Sequence, residues 1–87
     1  MNNNWEIVKL ASGRLSIDNY SKSETEIENI ENNLQKRFFD RLKDENIVVM
    51  WDCWSGIFIM QNVGFEYTKS TELLLQEIYD FLNSDDL

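Results

Sequence analysis

Apolar and polar positions nearly alternate along residues 5–10, WEIVKL, and after Ser12-Gly13 the stretch RLSID sets Leu15 and Ile17 two apart. A period of two belongs to a half-buried strand, and a Ser-Gly pair between two such runs predicts a hairpin. The period then changes. From Glu24 to Asp44 the apolar residues Ile27, Ile30, Leu34 and Phe38 recur at three- and four-residue steps, one stripe along an amphipathic helix. Residues 47–61, IVVMWDCWSGIFIMQ, are rich in β-branched and aromatic types around Ser55-Gly56 and predict a second hairpin. FEY at 65–67 follows the Gly64 turn and predicts a short edge strand. Leu74, Leu75, Ile78, Phe81 and Leu82 then line one face of a helix from about Ser70 to Asn83.

The ends of the first helix agree with its middle. Ser23 and Glu26 have the spacing of a capping box, in which the hydroxyl and the carboxylate each satisfy a free main-chain N–H. Glu24, Glu26, Glu28 and Glu31 crowd its first half, and Lys36, Arg37, Arg41 and Lys43 its second, which complements the helix dipole at both ends. Asn46 can close it. Two similar stretches, YSKSETE at 20–26 and YTKSTE at 67–72, each precede a helix. Hydroxyl caps and early glutamates account for that echo, and neither stretch has the flanking glycines of a phosphate-binding loop.

These elements predict a single α+β domain over residues 1–87 in the order ββα-ββα, with frayed ends at 2–4 and 84–87. An antiparallel sheet of four to five strands would pack with two helices. If Ser55-Gly56 is a two-residue turn, Ile47, Val49, Trp51, Cys53, Phe58 and Met60 share one side of the second hairpin. Val48, Met50, Asp52, Trp54, Ile57 and Ile59 share the other. The first set is uncharged and is expected to face the helices, with Cys53 an inert buried thiol. The second set would be an open contact surface, with Trp54 as anchor and Asp52 as the group that discriminates between partners. A three-residue turn is the alternative, and it would shift the register and move Trp54 off the sheet. On the long helix Phe39 lies about 130° from the centre of the core stripe, so it is expected at the surface as a second contact. Glu24, Glu28 and Glu31 line one flank of that helix as a solvated acidic face.

Composition narrows the functional classes. The chain has 87 residues, of which 43% are hydrophobic, enough for one small core and no more. Sixteen acidic against eight basic side chains leave a formal charge of -8, which disfavours direct contact with nucleic acid or anionic membranes and favours a basic protein. A lone cysteine, no basic-then-apolar leader in MNNNWEIVK and no long apolar run together predict a cytoplasmic protein off the membrane.

Catalytic equipment is sparse. The sequence contains no histidine, which removes the usual general base and the Ser-His and Cys-His nucleophile arrangements. One cysteine cannot build a Cys/His zinc site, and no calcium-loop pattern of acids is present, so no metal and no cofactor are expected. The expectation is therefore a non-enzymatic, inhibitor- or immunity-type protein that occludes a basic surface of a toxin, nuclease or other nucleic-acid enzyme. Its contact residues would be Trp54, Asp52, Met50, Ile57, Phe39, Glu28, Glu24 and Glu31. Homodimerisation through the apolar hairpin face is the alternative.

Overall fold

The structure, a computed structural model, describes residues 4–84. The expected frayed tips at 2–3 and 85–87 lie outside the described residues. Strand β1 (Glu6–Lys9) turns into β2 (Leu15–Asn19). A 3-10 turn (Glu24–Glu26) leads into α1 (Ile27–Phe38) and the short α2 (Asp40–Asp44). Strands β3 (Ile47–Asp52) and β4 (Gly56–Gln61) follow, and α3 (Lys69–Leu82) completes the domain. The four strands form one antiparallel sheet in the order β1-β2-β4-β3, so β1 and β3 are its edges.

The first hairpin closes as its sequence suggests. Leu10 N donates to Arg14 O (2.8 Å) and Gly13 N to Leu10 O (2.9 Å), with Gly13 at a φ of 90° that a side chain would oppose. The second hairpin departs from the two-residue turn. Asp52 Oδ1 accepts hydrogen bonds from Trp54 N (2.9 Å) and Ser55 N (2.6 Å), and the turn is the three-residue alternative, Cys53-Trp54-Ser55. Asp52 therefore pairs with Gly56 and Trp51 with Ile57, so the sides of β4 exchange. Ile57 and Ile59 go into the core rather than onto the contact face, while Phe58 and Met60 leave it. Cys53 is exposed in the turn, not buried within the hairpin. Gly56 is required by close approach as well: a Cβ there would fall on Asn19 O and 2.8 Å from Tyr20 Cα, where β2 and β4 meet at a bulge.

The expected helix over 24–44 is divided. Phe39 adopts φ 50° and ψ -122°, which ends α1 and lets α2 begin in a new direction. Leu42 on α2 packs against the core, and Arg41 makes a two-bond pair with Glu77 of α3 (3.1 and 2.6 Å). Asn46, at φ 56°, closes the segment. At its start Glu26 Oε2 accepts from Ser23 N (3.0 Å). At the start of α3 Thr68 and Thr71 exchange such bonds, Thr71 N to Thr68 Oγ1 (3.3 Å) and Thr68 N to Thr71 Oγ1 (3.1 Å). The cap thus falls three residues after Tyr20 in one echo and directly after Tyr67 in the other. The two stretches share helix-start chemistry and an extended cap residue, but not the place of the cap relative to the tyrosine.

FEY is not a strand. Arg14 donates to Phe65 O (2.8 Å) and Gln61 Nε2 to Glu66 O (2.9 Å), so side chains take the carbonyls a ladder would use. The core lies on one face of the sheet. Ile17, Ile57 and Ile59 meet Ile30, Leu34 and Phe38 of α1 and Leu74, Leu75, Ile78 and Leu82 of α3. Trp5 joins this core, and Asn83 clamps its main chain by donating to Trp5 O (3.2 Å) and accepting from Trp5 N (3.3 Å).

Candidate functional site

Antiparallel register sorts every strand residue onto one of two faces. All the buried stripes of α1 and α3 belong to the face of Ile17, Ile57 and Ile59. On the opposite face no helix of the described residues takes part in the core, and a cross-sheet row runs Glu6, Asp18, Phe58, Met50 over all four strands. Val8 beside Ser16 and Val48 beside Met60 flank it. Met50 is 47% exposed, and Val8, Val48, Phe58 and Met60 are each half-buried. This open face is the candidate site.

At its centre lies a buried carboxylate. Asp18 is only 7% exposed and Ser16 3%, because both are short and stand between longer side chains on neighbouring strands. Ser16 Oγ donates to Asp18 Oδ1 (2.6 Å). Burial raises the Asp18 pKa above the ordinary carboxylate value; the serine hydrogen bond opposes that rise, and the charges of Asp52 and Glu6 add to it. The site is therefore an apolar surface with a poorly solvated acid in its middle. Such an acid attracts a cation that brings its own apolar stem, as lysine and arginine do.

The sequence-predicted contact residues do not form one cluster. Met50 is on the open face and Asp52 at its end, with one carboxylate oxygen committed to the turn. Trp54, 85% exposed, projects from the turn beyond the sheet. Ile57 is fully buried under the helices and cannot touch a partner. Phe39, 64% exposed, sits at the junction of α1 and α2, and Glu24, Glu28 and Glu31 are exposed along the 3-10 turn and α1, all on the helical layer. Sequence reasoning missed Glu6, Val8, Asp18, Phe58 and Met60. The alternation in RLSID did hold a signal, since Ser16 and Asp18 fall opposite Leu15 and Ile17.

Two surface depressions lie on the helical side. One, of about 350 Å³, separates α1 from β3; the other, of about 420 Å³, lies between α1 and α3 and is lined by Arg37, Phe38, Glu77 and Phe81. Among the described residues no three His, Cys, Asp or Glu side chains are grouped so that they could hold a metal ion, and no helix is long and apolar enough to cross a membrane. No protein-family model, curated protein or solved structure matches this chain.

Proposed function

We propose that this protein is a non-enzymatic binding module that docks its open sheet face onto a basic protein. The reading is of an inhibitor or immunity type, acting by occlusion of a positively charged site on a toxin, nuclease or similar enzyme. The observation that carries it is the row Glu6, Asp18, Phe58, Met50: apolar side chains surround a buried acid on a face that no helix of the described residues shares with the core. A partner lysine or arginine would lie along Phe58 and Met60 with its charge toward Asp18, while Trp54 gripped the partner at the turn. The charge of -8 would steer the encounter.

The test is capture from the native host with the immobilised chain, followed by binding measurements on the captured protein. A basic partner whose affinity falls steeply with salt, and is weakened by about 2 kcal/mol or more by Trp54→Ala or Phe58→Ala, supports the proposal. A partner that is acidic, or is held equally well by both variants, contradicts it.

A further inference from the structure

The free edge of β3 borders a second surface. Asn62 N donates to Asn46 O (2.7 Å), which marks that pair as hydrogen-bonded and sets the parity of the ladder. With Val48 opposite Met60 and Met50 opposite Phe58, the alternation turns the main-chain N–H and C=O groups of Ile47, Val49 and Trp51 away from β4, toward the open edge. This six-residue strand carries no proline, lysine or bulge, the devices that usually protect an edge from pairing. The groove of about 350 Å³ runs along the same strand. Leu42, Ile47 and Val49 give it apolar walls above the fully buried Leu34, Glu31 and Gln35 line it from α1, and Lys43 lines it from α2. Glu28 lies one turn before Glu31 and extends the acidic flank.

We infer that this groove takes an extended segment of a basic protein, which pairs with β3 as a fifth strand, sets an apolar side chain between Leu42 and Val49 and places a lysine or arginine against Glu31. Main-chain pairing supplies affinity, and the alternate side-chain positions supply selectivity. The occupant is a cationic segment rather than a second copy of this chain, because two chains at -8 each repel. The groove lies on the helical side of the sheet, so the inference stands apart from the open-face proposal.

The experiment selects binders to the full chain from a displayed library of random linear peptides, then measures one synthetic selected peptide and the same peptide N-methylated at alternate residues. Expected are sequences alternating apolar with basic residues, and amide NMR shifts confined to β3 and the groove side of α1. Affinity should fall at least about tenfold on N-methylation, on Glu31→Lys and on Val49→Pro. Val49 donates outward, so proline there removes no bond to β4. Should that variant fail to fold, peptide N-methylation tests the same pairing from the other side. No selected sequence, shifts on the open face instead, indifference to N-methylation or to Glu31→Lys, or self-association through β3 would each overturn the inference.

Discussion

Asp18 holds a charge where the fold gives it little solvation, and that has a definite sign in the stability. Its folded pKa is raised above the 3.8 expected of the free side chain, mainly by burial. Below that value the carboxyl is protonated in both states and contributes nothing. As pH rises through the interval up to the folded pKa, the unfolded chain releases its proton first, so native stability declines, and it stays lower above. Asp18→Asn retains an acceptor for Ser16 and removes the charge. The variant is expected to unfold at a higher temperature than the parent at neutral pH, with the difference closing as the pH approaches 3.8. Thermal unfolding of both proteins across that range tests it; a constant difference would remove the burial argument. Phe39 stores strain of another kind. At φ 50° and ψ -122° only glycine is at ease, so Phe39→Gly is expected to raise unfolding stability by about 1 kcal/mol, read from urea titration. Both residues thus stand where a less costly substitute exists, and both belong to surfaces that remain open.

Elements were legible in the sequence where one local period governed them. The stripe through Ile27, Ile30, Leu34 and Phe38 and the one through Leu74, Leu75 and Ile78 both lie in helices whose buried faces meet the same sheet. Illegible were the places where a single side chain chose between backbone paths. Leu42 continues the stripe beyond Phe38, so periodicity gave no sign of the break at Phe39. Asp52 captured two turn amides and thereby moved Ile57 and Ile59 inward, an outcome that alternation alone leaves undecided. Asp18 escaped notice for a related reason: its surroundings come from β1, β4 and the β3–β4 turn, distant in sequence. The same turn gives an element-scale expectation. Gly56→Ala forces a Cβ onto the Asn19 carbonyl at a φ of 71°, and neither backbone can yield without breaking the β2–β4 bulge. A loss of at least about 2 kcal/mol in chemical denaturation is expected. Thr68→Ala, which removes one half of the α3 cap, should cost about 1 kcal/mol by the same measurement.

At the scale of the whole molecule, one-sided packing and net charge act in opposite directions on self-association. The open sheet face offers Met50, Phe58 and Met60 to any apolar surface, including that of a second copy. Sixteen acidic side chains against eight basic ones resist that meeting, since the repulsion of two chains at -8 extends over a screening length that widens as salt is removed. Salt therefore separates the two occupants by sign. Pairing of identical chains through this face would strengthen as added salt screens their repulsion. Docking on a basic partner would weaken under the same treatment, chiefly through a slower association rate. Sedimentation of the purified chain at low and at high ionic strength is expected to give a monomer throughout. If instead a dimer grows with salt and is abolished by Phe58→Lys, the open face is occupied by the protein itself, and the apolar row around Asp18 is a subunit interface with no room for a foreign surface.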